Sequence, residues 1–250
     1  MDLSGDLSGI SGRVMEQDCG TIKVQAFMSF LDEDAQDTAG SEPAGSSRRV
    51  YIGIINELEA RRLVPGQRLA ETDLARRFEV GRNAVREAIQ HLAARGVVDL
   101  SANRSPAIRQ LSVEQSLDVL EVACAMTQLL ACKAAERFDP QCHGQQLDRA
   151  LAELQDTARH DEGGAFNRAR RQFYRLLLSI AGNHELQRLF PAVGMHIIHA
   201  QYASQRLQDI RLADYMLIAA AVAENDIDAA RTAAIGHTRN VRALIENSQL

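Results

Sequence analysis

The chain has 250 residues, of which 46% are hydrophobic and 24% are charged, and its formal net charge is −5 at pH 7. This composition is sufficient for one large or two modest packed domains. No stretch approaches about 18 uninterrupted apolar residues, the length that a membrane-spanning helix needs. The N-terminus also lacks a basic region followed by a hydrophobic run. We therefore predict neither a membrane span nor a signal peptide, and we expect a cytoplasmic protein without a membrane partner.

The charge is unevenly distributed along the chain. Residues 1–45 carry 2 basic and 9 acidic side chains, residues 46–112 carry 12 arginines and 7 acids, and residues 113–250 carry 14 basic and 17 acidic side chains. Only the middle segment is basic, with a net charge of +5 against −7 before it and −3 after it. A basic footprint confined to one segment favours contact with nucleic acid through that segment.

The first regular element follows an irregular N-terminal tail. Residues 1–45 are rich in Gly, Ser and Asp and show no sustained periodicity apart from an apolar patch at residues 22–28. We predict a mostly disordered acidic tail over residues 1–45. A helix is then predicted from about Ser47 to Arg62, ended by Pro65-Gly66. Its inward residues are expected to be Val50, Ile54, Ile55 and Leu58.

Two more helices are predicted in quick succession. Residues 71–78 form a short one with acids in its first turn, where they complement the helix dipole. After a tight link, residues 80–90 begin another helix, which ends at Arg95-Gly96. At about 100° per residue this helix has an apolar arc and a polar arc. The apolar arc holds Val85, Ala88, Ile89 and Leu92, and the polar arc holds Arg82, Asn83, Arg86 and Gln90.

The polar arc is suited to contact with a duplex. The fork of donors on a guanidinium matches a phosphate or the O6/N7 edge of guanine, and Arg82 and Arg86 lie one turn apart. On this helix alone, a solvated surface is the simpler interpretation. Residues 97–100, 101–105 and 106–109, however, predict a strand, a turn and a second strand directly after it. Helix, turn, helix and β-wing together form a DNA-reading module.

This module resembles a known family. The segments PGQRLAE (65–71), DLA (73–75) and VGRNAVREAI (80–89) are similar, without gaps, to the N-terminal winged helix of the GntR family of bacterial transcription regulators. Members usually carry Ser or Thr where this chain has Gly81, Thr at Asn83 and Pro at Ala84, so the operator sequence cannot be carried over. The DNA-contacting residues that the resemblance implies are Arg49, Thr72, Gly81, Arg82, Asn83, Arg86, Asn103 and Arg104.

The second half of the chain is predicted to be entirely helical. From Ser112 onward every segment has a helical period, and breaks at residues 139–140, 162–164, 182–183 and 224–226 predict roughly six helices. Several of its residues resemble the FCD effector domain that follows GntR winged helices: Phe173 to Leu177, Ala181 to Asn183, Tyr215, Asp226, Ala229, Ala230 and His237.

The predicted fold class is therefore mainly α, with two domains after the tail. A winged helix-turn-helix DNA-binding domain covers residues 46–111, and an all-helical FCD-like domain for effector binding and dimerisation covers residues 112–250.

The resemblance also implies where a metal would lie. Many members hold a divalent cation with an Asp and three His, and these positions fall on Arg170, Tyr174, Tyr215 and His237. Only the last is a usual ligand, and an Arg cannot be deprotonated to coordinate. We therefore expect no metal and no cofactor. His196 and His199 lie one turn apart, and we interpret them as a satisfied or pocket-edge pair rather than as metal ligands.

These departures predict a different kind of receptor. Arg170 and Tyr174 are four residues apart and share a helix face with Phe166, Phe173, Leu177 and Ala181. If the family geometry holds, these two side chains lie beside Tyr215 and His237, with His196 and His199 at the edge of the same pocket. Such a pocket would bind the carboxylate of a small ligand, with or without an aromatic ring. The alternative is that Arg170 lies among the exposed Arg168 and Arg171 and that the tyrosines merely pack.

Three classes of function are consistent with part or all of this pattern. A ligand-responsive regulator, a homodimer on a pseudo-palindromic double-stranded operator, accounts for every segment. An enzyme accounts for none, because the sequence has no Gly-rich phosphate loop, HExxH, GxSxG or CxxC, and we identify no catalytic residue. An architectural DNA-binding protein accounts for the first half only. Regulators of the same family that respond to acyl-CoA or to a metal stay open as alternatives.

Overall fold

The computed structural model describes residues 44–100, 105–160, 164–193 and 195–247. The predicted tail up to residue 43, and the predicted wing-tip contacts Asn103 and Arg104, lie outside these residues.

The N-terminal part has three helices followed by a β-hairpin. The helices are α1 (Ala44–Glu59), α2 (Glu71–Arg77) and α3 (Arg82–Ala94), and the strands are β1 (Val98–Asp99) and β2 (Ala107–Ile108). The strands are antiparallel, with Val98 opposite Ile108 and Asp99 opposite Ala107. An isolated bridge between Arg68 and Ala107 ties the chain before α2 to the base of the hairpin. The predicted helix-turn-helix and β-wing are confirmed.

α1 begins and ends three residues earlier than the sequence pattern predicts. Pro43, which cannot donate a helical hydrogen bond, stands directly before its first residue. At the other end Arg61 has a φ of 58°, and the N–H groups of Arg62 and Leu63 both donate to the carbonyl of Glu57. The chain therefore turns away sharply at Arg61.

The core of this part is the one that the apolar arcs predict. Val50, Ile54, Ile55 and Leu58 of α1 are buried, and so are Val85, Ala88, Ile89 and Leu92 of α3. Side chains from the second half join the same core, namely Leu120, Ile197, Ile198, Leu207, Val241 and Ile245. The winged helix and the helices that follow it therefore share one continuous apolar cluster.

The second half consists of helices throughout its described residues. They are α4 (Val113–Arg137), α5 (Pro140–Arg159), α6 (Ala165–Ala181), α7 (His184–Leu189), a 3-10 helix (Phe190–Val193), α8 (Met195–Gln201), α9 (Gln205–Ala223) and α10 (Ile227–Asn247). α4 begins with a capping box of Ser112 and Gln115, and Asp139 caps α5 with Pro140 in its first turn.

The prediction of roughly six helices was wrong between residues 184 and 223. The described chain is interrupted twice more there, by the 3-10 helix that contains Pro191 and by the short connection to α9. Ser204 starts α9 by accepting a hydrogen bond from the N–H of Leu207 (3.2 Å). No helix among the described residues is long and apolar enough to cross a membrane.

Candidate functional site

α3 presents the predicted polar arc to solvent. Arg82, Asn83, Arg86 and Gln90 are exposed, whereas the apolar arc on the opposite side is buried. Gly81 occupies the N-cap position, where it provides no side-chain hydrogen bond. The first turn of α3 therefore leaves backbone N–H groups open to an external acceptor, as a phosphate would be.

The two arginines of α3 differ in their surroundings. The Nε of Arg86 lies 2.9 Å from the Oε2 of Glu71, at the start of α2. Arg82 has no ion-pair partner within the described ranges. Two other predicted contacts border the same surface: Thr72 is exposed on α2, and Arg49 donates to the carbonyl of Glu79 (3.1 Å) in the link between α2 and α3.

A second set of polar side chains lies inside the helical half. Arg170 and Tyr174 come from α6, His199 from α8, Arg211 and Tyr215 from α9, and His237 from α10, and all six are buried. We call this set the buried polar cluster. The ring centres of Tyr174 and Tyr215 are 5.5 Å apart at an interplanar angle of 85°, and those of Tyr215 and His237 are 5.0 Å apart. Phe173 and Phe190 extend this group of aromatic rings.

The guanidiniums of the cluster have no carboxylate partner. Arg170 is 6% exposed and Arg211 4% exposed, and neither forms an ion pair with any residue that the structure describes. Five polar atoms in the cluster also have no hydrogen-bond partner there: the Nε of Arg170, the Nε and Nη2 of Arg211, the hydroxyl oxygen of Tyr215 and the Nδ1 of His199. Unpaired buried cations are costly, so this arrangement favours an anion as the missing partner.

Burial controls the charge states within the cluster. It lowers the pKa of Arg170, and it lowers the pKa of Arg211 to about 10, so Arg211 keeps its charge at neutral pH. Burial raises the pKa of Tyr174 and of Tyr215, with the neighbouring tyrosine contributing for Tyr174. The phenols are therefore neutral hydroxyl donors beside two cations.

The two histidines of the cluster are neutral. Burial, followed by the charges of Arg170 and Arg211, holds the pKa of His199 well below its usual value. Burial also lowers the pKa of His237, although Asp214 acts in the opposite direction. The Nδ1 of His237 donates to the Oδ2 of Asp214 (3.0 Å), and the amide of Asn240 donates to the other oxygen (2.9 Å). Asp214 is thus engaged away from the arginines.

Asn240 also lines a surface cleft of about 440 Å³ between α9 and α10. The other residues of this cleft are Arg206, Ile210, Ala243, Leu244 and Asn247. The hydrogen bonds from Asn240 to Asp214 and from His237 to Asp214 connect the cleft to the buried polar cluster.

Family comparisons match both halves of the chain. The family described as bacterial regulatory proteins, gntR family, matches residues 46–108, and the FCD domain matches residues 118–240. The chain belongs to the GntR family. The first match covers the winged helix, and the second covers most of the helical half.

Two curated relatives are transcription regulators. The chain is 23% identical over 145 residues to a probable D-xylose utilization operon transcriptional repressor from Paenarthrobacter nicotinovorans, which covers 58% of this chain and 63% of that protein. The match therefore spans less than two thirds of this relative's length. The chain is also 22% identical over 179 residues to an Nta operon transcriptional regulator from Aminobacter aminovorans, and this match covers 69% of the chain and 81% of that protein.

Solved structures share the fold of this GntR-family chain. E. coli McbR/YncC superimposes with a TM-score of 0.71 at 17% identity, covering 82% of this chain and 99% of that chain. A putative GntR transcriptional regulator from Rhodococcus sp. RHA1 superimposes with a TM-score of 0.68 at 21% identity, covering 81% and 98%. At these identities the likeness supports the fold alone.

The cluster residues of this GntR-family protein do not fit a divalent metal. Arg170 and Arg211 would place two positive charges beside the cation, and the carboxylate of Asp214 is already bonded to His237 and Asn240. No group of three His, Cys, Asp or Glu side chains that could hold a metal ion occurs in the described part of the chain.

Five of the six effector residues expected from the sequence lie in this cluster, and the sixth lies close enough to it that, besides burial, the charge of Arg170 lowers its pKa. Arg170, Tyr174, Tyr215, His237 and His199 belong to the buried polar cluster, whereas the Nδ1 of His196 lies 3.6 Å from the Oε1 of Glu59 in α1. The alternative position for Arg170, exposed beside Arg168, is wrong because Arg170 is buried.

Sequence reasoning missed Arg211 and Asp214. Arg211 lies one helical turn before Tyr215, and Asp214 directly precedes Tyr215. The spacing of Arg211 and Tyr215 repeats that of Arg170 and Tyr174, and it could have identified the second guanidinium.

The neutral histidines predict a pH-dependent stability. Burial lowers the pKa of His196 to about 3, and those of His199 and His237 are also lowered, so the unfolded chain binds more protons below about pH 6.5. Their contribution is fully present above that pH and is lost as the pH falls, at up to about 1.4 kcal/mol per pH unit for each histidine. We expect urea unfolding to give a lower free energy at pH 5.5 than at pH 7.5, with a weaker dependence in His199→Gln. Equal pH dependence in the two proteins would contradict a buried neutral His199.

Proposed function

We propose that this protein is a ligand-responsive transcription regulator that binds a pseudo-palindromic double-stranded operator through α3 as a homodimer. Its effector is a small organic acid held at the buried polar cluster. The observation that carries this proposal is the pair of buried guanidiniums, Arg170 and Arg211, without a carboxylate partner among the described residues. The winged helix supplies the DNA contact, and the cluster supplies the receptor.

The charge balance of the cluster favours an acid with one negative charge. Arg170 and Arg211 contribute two positive charges, Asp214 contributes one negative charge, and the lowered pKa of His199 and of His237 keeps both neutral. A single carboxylate would neutralise the remaining positive charge. The guanidiniums and the Tyr215 hydroxyl supply charged and neutral donors for it.

The surrounding rings favour an aromatic or otherwise apolar body on that acid. Tyr174 packs against Phe190 with ring centres 5.3 Å apart, and Phe173 packs against Tyr215 at 5.6 Å. Such rings offer edge and face contacts to a ligand ring. Arginines and aromatic side chains together suit a small aromatic carboxylate better than a strongly hydrated acid.

An exposed apolar stripe on α4 supports the proposed homodimer. Val122 is 55% exposed and Leu129 44% exposed, and Ala125 lies exposed between them on the same face of the helix. The Sγ of Cys132 contacts the carbonyl of Ile227 (3.7 Å), which places the exposed Ile227 of α10 beside the end of this stripe. In an antiparallel contact of two copies, Val122 of one would face Leu129 of the other, a self-complementary twofold arrangement.

We therefore expect Leu129→Asp to shift the protein from dimer to monomer in sedimentation velocity. A charge within an apolar contact would be desolvated without a partner. The matched control is Leu189→Asp, because Leu189 is 45% exposed but belongs to α7 rather than to the stripe on α4. Equal dimerisation of both variants and the unchanged protein would rule out this face.

Footprinting with and without candidate acids tests the proposed function as a whole. We expect protection of a site with twofold symmetry, and a change in that protection when the effector acid is added. Calorimetry with small carboxylates, beginning with benzoate, should give one site per chain. A footprint that no acid alters, together with no heat of binding, would instead leave a DNA-binding protein without an acid effector.

A further inference from the structure

A charged junction joins the winged helix to two helices of the FCD half. The side chain of Glu59, the last residue of α1, is 1% exposed. Its Oε2 forms an ion pair with the Nη1 of Arg171 in α6, and its Oε1 lies 3.6 Å from the Nδ1 of His196 in α8. We call these three residues the Glu59 junction.

Backbone contacts show how closely α6 is seated on α1. Gly164, at the N-cap of α6, has a φ of +79°, and a Cβ there would lie 2.9 Å from the backbone carbon and oxygen of Glu59. Asn167 also donates to the carbonyl of Glu59 (3.4 Å), and Arg171 donates to the Oδ1 of Asn56 (3.5 Å). Only glycine permits this approach, so the first turn of α6 rests directly on the last turn of α1.

Both helices of the FCD half that meet Glu59 also enter the buried polar cluster. On α6, Arg171 of the junction directly follows Arg170 of the cluster. On α8, His196 of the junction lies one helical turn before His199 of the cluster. A displacement of either helix by a ligand would therefore act on both places at once.

We propose that Glu59 is the residue through which the buried polar cluster acts on the winged helix. This inference rests on the proposed function, since it assigns the route by which occupancy of that site alters DNA binding. A buried carboxylate is stable only while it is paired. A shift of α6 must therefore carry α1 with it or separate Glu59 from Arg171. This requirement gives the junction two discrete arrangements, which is the physical basis of coupling between sites.

The inference can be tested without a known effector, by discharging the cluster through mutation. Arg170→Met removes one guanidinium and retains an apolar side chain of similar length. Four full-length proteins form a cycle: the unchanged protein, Arg170→Met, Glu59→Gln and the double variant. Amide hydrogen exchange of α1 and α3 is measured by mass spectrometry in each. The exchange rates of α1 and α3 are divided by those of α4, so that the change in global stability expected for Arg170→Met cancels and the ratio reports the winged helix relative to the FCD half.

A second carboxylate on α1 supplies a matched control. Glu57 is also buried, but its partners lie within the winged helix: the Nη1 of Arg77 at 2.6 Å and the Nε of Arg62 at 3.8 Å. Glu57→Gln therefore perturbs the same helix by the same chemical change without touching α6 or α8.

We expect Arg170→Met to change exchange in α1 and α3 by about fivefold or more, the lower end of typical coupling between sites. In the Glu59→Gln background the same substitution should change it less than about twofold, whereas in the Glu57→Gln background the full change should remain. The proposal is overturned if Arg170→Met has the same effect in the Glu59→Gln and unchanged proteins, or no effect in either.

Two further measurements keep the result unambiguous. If Glu59→Gln does not fold, the paired replacement of Glu59→Gln with Arg171→Met takes its place, since it leaves no unpaired charge. Calorimetry with benzoate on the unchanged protein reports separately on the proposed ligand class. Loss of the Arg170→Met effect in the Glu59→Gln background, without benzoate binding, would support the Glu59 route and count against an aromatic acid. Benzoate binding with the Arg170→Met effect unchanged in that background would support the acid and overturn the Glu59 route.

Discussion

Replacing Arg82 with Ala should weaken operator binding more than any other single substitution on the winged helix. Arg82 is exposed in the first turn of α3 and has no ion-pair partner among the described residues, so its full set of donors is available to DNA. A bidentate contact with a base is worth about 1–3 kcal/mol. We therefore expect the affinity per subunit to fall by about fivefold to 150-fold, measured by fluorescence anisotropy at one fixed salt concentration.

Arg86→Ala should weaken binding less, because Arg86 must first leave Glu71. An exposed pair of this kind contributes up to about 1 kcal/mol, which offsets part of the contact with DNA. Glu71→Gln should accordingly strengthen binding by releasing Arg86. This increase distinguishes a competing ion pair from a residue that only supports the fold.

The control is Arg231→Ala, which removes one positive charge from α10, where Arg231 is half exposed and paired with Asp228. It should leave operator affinity unchanged within the error of the measurement. Mobility shifts that are the same for Arg82→Ala, Arg86→Ala and Arg231→Ala would show that α3 does not read the operator.

The parts of the fold that the sequence predicted are those that local periodicity determines. Val85, Ala88, Ile89 and Leu92 fall on one arc at about 100° per residue, and all four are buried. The same periodicity placed Arg170 beside Tyr174 on an inward face of α6, where both are buried. In each case a single helix decides the outcome, so no knowledge of the other helices was required.

What the sequence did not predict depends on contacts between distant segments. Glu59 and Arg171 form an ion pair across more than a hundred residues of chain, and neither stands in a local pattern that indicates its partner. Arg211 joins the buried polar cluster because of how α9 packs in the core beside α6. The extra breaks near Pro191 and Ser204 were missed because the apolar residues on both sides continue a helical period.

Arg170→Met should weaken the response to acids while stabilising the ligand-free fold. A hydrogen bond to a charged group contributes about 1.5–3 kcal/mol, so we expect the affinity for an acid such as benzoate to fall by about tenfold to a hundredfold in calorimetry. Burial lowers the pKa of Arg170, which means that the folded protein disfavours its charge when no anion is present. Removing that charge should raise the free energy of unfolding in urea, by about 1 kcal/mol or more.

This combination of effects separates a receptor residue from a structural one. If Arg170 only packed in the core, its replacement would lower the free energy of unfolding, as large-to-small substitutions in a core do. In the unchanged protein, adding the acid at about a hundred times its Kd should raise the free energy of unfolding by about 2.7 kcal/mol, whereas Arg170→Met should lose half of this gain or more at the same concentration and retain only about 0.4–1.4 kcal/mol. Arg168→Met, two residues away on the exposed side of α6, should keep it. Equal acid binding by Arg170→Met and the unchanged protein, or a lower stability of the ligand-free variant, would contradict a role for this guanidinium in acid binding. The buried polar cluster would then have only a packing role.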